Sequence, residues 1–280
     1  MTTWRSEGSD EIKLDITPMG WLRVFLRGLI LGVLVFGCLV ILLVVRLIES
    51  PLCAPNRPIT PWITRFVCRT AFVIMGMRFK TSGNPIRNTG AVVANHSSWL
   101  DIFALNARQA VYFVSKSEVA KWPGIGWLAR ATGTVFIERK NSAAQKQKNL
   151  FQERLSAGHQ LLFFPEGTST DGLRVLPFKS TIFAAFFAQN LLESMSVQPV
   201  TVVYSAPRGA EKDFYGWWGD MDFGTHFLRT LAAPRQGSVE IVYHSALKVA
   251  DFKDRKALAL ACENTIKQAH QRQISILSKS

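Results

Sequence analysis

The chain has 280 residues, with 33 lysines and arginines against 20 acids, giving a formal charge of +13. That length accommodates one large domain plus an appendage, and the basic balance points to an anionic partner: nucleic acid, an anionic membrane surface, an acidic carrier or a phosphorylated substrate. The four cysteines, Cys38, Cys53, Cys68 and Cys262, lack metal-ligand spacing and one sits in an apolar run, which argues against a zinc site or a disulfide framework and for a reducing compartment.

Residues 1–20 are polar and mildly acidic and read as a loosely attached tail. Residues 21–48 follow as a transmembrane anchor. Their centre, Gly28 to Val45, is an uncharged run of 18 residues flanked by Arg23, Arg27 and Arg46, which as a helix spans about 27 Å, close to the hydrocarbon thickness. The Gly28/Gly32 pair matches a small-residue packing motif but is common in such helices. Between Arg46 and Gly90 stand seven basic residues against Glu49 alone, so the positive-inside rule places the body of the protein on the cytoplasmic face of the inner membrane, as a single-pass protein.

Residues 49–77 form a helical segment. Thr60 is the expected cap and Pro61 suits the first helical position. Trp62, Ile63, Phe66, Val67, Phe72 and Val73 then alternate with Arg65 and Arg69. An apolar face with arginines and a tryptophan suits a helix lying in the membrane interface; packing against the domain accounts for the same pattern.

From residue 78 to 280 the chain alternates between strand and helix patterns. Strands are expected over 78–81, 91–94, 111–115, 134–138, 160–164, 197–204 and 238–247. Helices are expected over 99–108, 124–131, 142–157, 179–192 and 254–273. The alternation predicts an α/β fold with a mostly parallel central sheet flanked by helices. Sites in such sheets gather at the carboxyl ends of the strands.

Four of those ends carry chemistry. Asn95-His96-Ser97-Ser98-Trp99-Leu100-Asp101 follows an apolar strand; His96 and Asp101 would lie about 140° apart on one helix, so they meet only if the chain turns between them. With a helix starting near Trp99 and capped by Ser97 or Ser98, Asp101 reaches back to the imidazole and fixes its tautomer. Gly133 to Arg139 ends a β-rich run on a guanidinium suited to a carboxylate or phosphate. Phe163-Phe164-Pro165-Glu166-Gly167-Thr168-Ser169 ends a strand on a carboxylate, a glycine and hydroxyls, and Pro199 lies in a late strand.

In this order and spacing the four blocks resemble the glycerolipid acyltransferase family of the 1-acylglycerol-3-phosphate acyltransferase type, over roughly residues 60–250. The resemblance implies a membrane-bound O-acyltransferase that moves an acyl chain from a thioester, on acyl carrier protein or coenzyme A, to the hydroxyl of a lysolipid. It implies His96 as general base oriented by Asp101. Asn95, Arg139, Glu166, Gly167 and Thr168 would serve acceptor binding, with Lys116 and Lys179 beside the site. Backbone amides near Ser97 and Ser98 are candidate donors to the developing oxyanion. Neither a metal nor a resident cofactor is implied.

One departure bears on the acceptor. Phosphatidate-forming members commonly continue the third block with an arginine, whereas here Thr168 is followed by Ser169, Thr170 and Asp171. Arg174 or Lys179 are the residues available to compensate. The segment Phe214 to Phe223 resembles the lyso-ornithine lipid acyltransferase branch, whose acceptor carries an amine and no phosphate. There Asp220 and Asp222 could pair with the amine and the tryptophans rest at the bilayer, or both could be structural. A catalytically silent membrane scaffold of the same fold is the competing class; such a protein would be expected to lack His96 or Asp101. A serine hydrolase is disfavoured because no G-x-S-x-G elbow is present. Nucleic-acid binding is disfavoured because the basic residues flank an anchor rather than a recognition motif.

Overall fold

The computed structural model describes residues 4, 14–87, 90–137, 144–189 and 191–277. Two helices open the chain: α1 (Pro18–Cys53) and α2 (Thr60–Met75). After them come β1 (Arg78–Ser82), β2 (Gly90–Ala94), α3 (Leu100–Arg108), β3 (Tyr112–Lys116), α4 (Ile125–Ala131), β4 (Val135–Ile137), α5 (Ala144–Ser156) and β5 (Leu161–Phe163). The second half holds β6 (Ser196–Ser205), α6 (Phe223–Ala232), β7 (Ser238–Tyr243), β8 (Leu247–Lys248) and α7 (Arg255–Leu277). The sheet order is β1-β7-β6-β2-β5-β3-β4, with β8 on β6, and every pairing is parallel except those of β6 with β7 and β8. The mostly parallel α/β sheet expected from the sequence is therefore present.

Both faces of the sheet are covered, and β2 shows it residue by residue. Val92 and Ala94 point into the layer shared with α2 and α3, while Ala91 and Val93 point into the layer shared with α5 and α7. Period-two alternation with apolar residues on both sides is the pattern of a central parallel strand.

Two expected elements differ. The helix expected over 179–192 is instead a run of 3₁₀ turns, Ser180–Phe187; Phe183 and Phe186, three residues apart, suit a three-residue turn and bury together with ring centroids 5.8 Å apart. The long strand expected over 238–247 is divided into β7 and β8. Both halves pair with β6, and the break falls beside Pro199, which has no N–H for the ladder; there His244 donates its backbone N–H to the Pro199 carbonyl (3.1 Å).

Helix α1 is longer than the expected anchor and lies alongside the domain. Near its start, Arg23 donates to the carbonyl of Ala232 (2.9 Å) and Arg27 to those of Leu231 and Ala233 (both 2.7 Å). These are unpaired carbonyls at the carboxyl end of α6, where cations are favoured by the helix dipole. Leu31 and Leu42 are buried further along. Near the far end, the Glu49 carboxylate accepts from the amides of Ile59 and Thr60 (2.7 and 3.1 Å) and from the Thr60 hydroxyl (2.6 Å), and pairs with Arg46 (3.0 Å). Both ends of α1 are thus fastened to the domain, and the helix between them is long and apolar enough to cross a membrane. The opposite stripe, including Phe25, Leu29, Val33, Val40, Val44 and Leu47, stays exposed.

The capping expectation at Thr60 is corrected, because the N-terminus of α2 is capped by the carboxylate of Glu49, borrowed from α1. On α2 itself, two faces differ. Cys68, Ala71, Phe72 and Met75 are buried toward the domain, whereas Trp62, Phe66, Arg69 and Val73, at spacings of four, three and four, form one exposed face. Replacing Glu49 with Ala orphans two amides, a hydroxyl and Arg46; thermal unfolding in detergent should show a loss of about 3 kcal/mol.

Candidate active site

The strand β2 delivers Asn95 to Ser98 to the carboxyl edge of the sheet, and α3 begins immediately after. This turn brings His96 and Asp101 together: Nδ1 of His96 lies 2.7 Å from Oδ2 of Asp101. The imidazole remains partly exposed, with 20% of its side chain accessible, while the Asp101 side chain is fully buried. A carboxylate at Nδ1 places the ring proton there and leaves the lone pair on Nε2.

Three further donors hold Asp101. The amides of Ser97 and Ser98 donate to Oδ2 (2.8 and 3.0 Å), and the buried Tyr204 hydroxyl donates to Oδ1 (2.8 Å). Those two amides are therefore committed to Asp101, which corrects their assignment to an oxyanion. The expected serine cap is reversed as well, since the carboxylate in the first turn of α3 reaches back to the serine amides; Ser98 Oγ adds a long contact of 3.4 Å with the amide of Leu100. Tyr204 lies 103 residues from Asp101 on β6, and no local sequence signal could have paired them. Burial and the adjacent carboxylate hold its phenol well above the ordinary value.

Asn95 and Glu166 are buried, and their side chains bond to the backbone. Asn95 is fully buried, and its side-chain amide exchanges two hydrogen bonds with the backbone of Val202 (both 2.8 Å), clamping β2 to β6. Glu166 is buried with Oε1 accepting from the His96 amide and Oε2 from the Leu176 amide (both 2.7 Å). Burial raises its carboxyl to about 8, against the lowering effect of those amides. Both residues position the backbone around the histidine. Gly167, at φ +72°, makes the turn after Glu166, a left-handed conformation that strains any side chain.

Phe164 stacks on the His96 ring, with centroids 4.0 Å apart and planes at 13°. Thr168 is half-buried, its hydroxyl near the Ser169 carbonyl (3.3 Å). Lys116 ends β3, and Lys179 is tied to the same loop through its amide and the Pro165 carbonyl (3.0 Å). Arg139 lies outside the described residues.

The segment 214–223 is anchored here by its backbone: the Trp217 amide donates to the Ser97 carbonyl (2.9 Å). Asp222 caps α6, accepting from the amide and hydroxyl of Thr225 (2.7 and 2.9 Å), so its expected pairing with an amine is replaced by a structural role. Trp218 is buried, and Trp217 packs edge-on against Trp122 and Phe223. Together with Trp99, Phe103 and Phe227 these rings form an aromatic shelf beside the histidine turn. Trp99 is fixed in it by a hydrogen bond to His226 (2.9 Å). Arg174, a candidate replacement for the missing arginine, is bound to Asp171 (2.9 Å) and lies over the Trp4 ring. Among the described residues no group of His, Cys, Asp or Glu side chains is arranged to hold a metal ion.

A buried acid orienting a half-exposed imidazole at the carboxyl edge of a parallel sheet defines a base suited to activating a hydroxyl. The comparisons agree with that class: an acyltransferase family model matches residues 78–203. A lyso-ornithine lipid O-acyltransferase of Rhodobacter capsulatus is 55% identical over 245 residues, covering 88% of this chain and 89% of its own. The enzyme of the same name from Pseudomonas aeruginosa is 32% identical, covering 90% and 95%. A 1-acyl-sn-glycerol-3-phosphate acyltransferase of Neisseria gonorrhoeae is 31% identical over 63% of this chain and 67% of its own. The crystal structure of the corresponding Thermotoga maritima enzyme shares the fold, with a TM-score of 0.61 at 21% identity over 91% of this chain and 95% of its own. The chain belongs to the glycerolipid acyltransferase family and is an acyltransferase.

Two measurements check this site. Tyr204→Phe removes one of the donors that hold Asp101 and so loosens the orientation of the imidazole. The kcat should fall about tenfold, about 1.4 kcal/mol, with KM little changed. Glu166→Gln sets an amide N–H against a backbone N–H and should cost about 1–3 kcal/mol in thermal unfolding. Because the folded-state pKa of Glu166 is raised, its favourable linkage is present below about pH 4.5 and lost as pH rises through about 8. The stability gap between wild type and Glu166→Gln should therefore narrow across that window.

Proposed function

We propose that the chain transfers an acyl group from a thioester to the hydroxyl of lyso-ornithine lipid at a membrane surface. The observation that carries the reaction is the 2.7 Å contact between His96 and the buried Asp101. Nε2 of His96 takes the proton of the acceptor hydroxyl as its oxygen attacks the thioester carbonyl carbon. The tetrahedral intermediate then collapses with cleavage of the C–S bond, and the imidazolium returns the proton to the leaving thiolate. An ester and a free thiol result, with no covalent acyl-enzyme.

With the Ser97 and Ser98 amides engaged, the ammonium groups of Lys116, at the end of β3, and Lys179, beside the Pro165 turn, are the groups we assign to the negative charge that develops. Arg139, Gly167 and Thr168 line the acceptor side in this reading. The acyl donor is carried by acyl carrier protein or coenzyme A, either of which suits the positive charge of the chain.

For the acceptor, two observations favour an amine-bearing lipid over lysophosphatidate. The position after Thr168 holds Ser169 instead of an arginine, and Arg174 is neutralised by Asp171. The names of the Rhodobacter capsulatus and Pseudomonas aeruginosa relatives support the same choice. The membrane in this reading is the cytoplasmic face of the inner membrane, with the exposed stripes of α1 and α2 resting in it.

Replacing His96 with Ala should abolish acyl transfer while the protein still folds, as its circular dichroism would show; retained turnover would remove the histidine from the reaction. An acceptor panel with one labelled donor should show lyso-ornithine lipid preferred at least tenfold in kcat/KM over lysophosphatidate, and the reverse order would overturn the headgroup assignment.

A further inference from the structure

At the opposite end of the sheet from His96 lies an open cavity of about 720 Å³. It is bounded by the end of α1, the α1–α2 connection, the first turns of α2, and the starts of β3 and β5. Tyr112 on its wall is level, through Leu161, with Ala91. Ala91 stands five residues before His96, so the cavity lies roughly 16 Å from the imidazole along the strands. It belongs to no part of the proposed reaction.

The charges here are unbalanced. Among the described residues, Arg57 and Arg65 line the cavity and no carboxylate does. Arg154 stands behind, with Arg57 and Arg154 both over the Tyr112 ring at 5.8 and 4.7 Å. Burial lowers the pKa of all three guanidiniums, and neighbouring arginines lower it further. The acids nearby are Glu49, already held by Arg46 and the start of α2, and Glu153, which is exposed.

Donors lack acceptors in the same place. His159 is only 6% exposed, and its Nδ1 accepts from Nε of Arg154 (2.6 Å). That bond puts the imidazole proton on Nε2, which is buried on the cavity wall and makes no well-formed hydrogen bond, the Pro55 carbonyl being only loosely in reach. The Nε of Arg65 is also buried without a partner, its guanidinium stacked 4.5 Å from the Trp62 ring. Several N–H groups around a positive hollow match an anion with several acceptor oxygens, and guanidiniums match the oxygens of phosphate. The lip adds a second requirement. Leu52 and Trp62 line it and are 76% and 64% exposed, continuous with the outer faces of α1 and α2, so the occupant has an apolar part.

We propose that this cavity binds the phosphate of an anionic membrane lipid, whose acyl chains lie along Leu52 and Trp62. The site would fix the orientation of the domain on an anionic bilayer, independently of the acceptor bound at His96. To test it, the full-length protein in a non-ionic detergent is titrated calorimetrically with short-chain phosphatidylglycerol, short-chain phosphatidylcholine and inorganic phosphate. Phosphatidylglycerol should bind saturably and at least tenfold more tightly than the other two, with Arg57→Gln and Arg65→Gln each weakening it about tenfold. Arg57 also bonds the Ala131 carbonyl, so if its variant fails to fold, Arg65→Gln decides. Acyl transfer to a micellar acceptor should be unchanged in Arg65→Gln. Equal affinity for the two lipids, or undiminished binding by Arg65→Gln, would overturn the proposal; inorganic phosphate binding as tightly as phosphatidylglycerol would overturn the lipid as its source.

Discussion

The carboxylate of Asp101 is the constraint on which the site depends. Its side chain is fully buried, and an ion taken out of water is tolerated only with hydrogen bonds to replace hydration. Four donors supply them: His96, the amides of Ser97 and Ser98, and Tyr204. Each comes with a geometric demand. The two amides require the chain to turn sharply between β2 and α3, and the phenol requires β6 to lie beside β2. His96 is the one member of the four that also meets solvent, so the same bonds that stabilise the buried charge aim the imidazole outward.

The backbone of that turn is held from every side. Glu166 takes the His96 amide, Thr170 donates its amide to the His96 carbonyl (3.0 Å), and Trp217 donates to the Ser97 carbonyl. Asn95 locks the preceding residue to Val202. Three segments distant in sequence thus converge on the Asn95 side chain and the three peptide units that follow it. An imidazole held by its backbone as well as its ring loses little entropy on meeting a bound molecule, which is the value of such preorganisation. Asn95 and Glu166, which the family resemblance suggests as substrate contacts, also fix where the histidine stands.

The sheet and the His96/Asp101 pair were legible in the sequence because their signals are local. The apolar strand before Asn95 and the five-residue spacing that needs a turn are both read from neighbours. What was not legible depends on residues that meet only after folding. Tyr204 reaches Asp101 across 103 positions, and Glu49 caps a helix that follows it, where a hydroxyl at Thr60 looked sufficient. Pro199 was visible, but its consequence, the division of the strand expected over 238–247, required knowing which strand lies beside it. Arg174 was visible as a charge; that Asp171 neutralises it depends on the geometry of one loop.

Helix α1 shows why hydropathy alone could not set its relation to the domain. An 18-residue uncharged run satisfies both a lipid environment on all sides and one that covers half of it with protein. The arginines beside the run distinguish the two. Flanking a free span, Arg23 and Arg27 would sit among headgroups; here they neutralise the carbonyl end of α6, partners that are fixed to the catalytic domain. Glu49 performs the complementary task at the amide end of α2. One helix thus supplies cations to a helix C-terminus and an anion to a helix N-terminus, each matched to the sign of the dipole it meets. These polar pins fix the register of an otherwise uniform apolar rod and decide which stripe remains exposed.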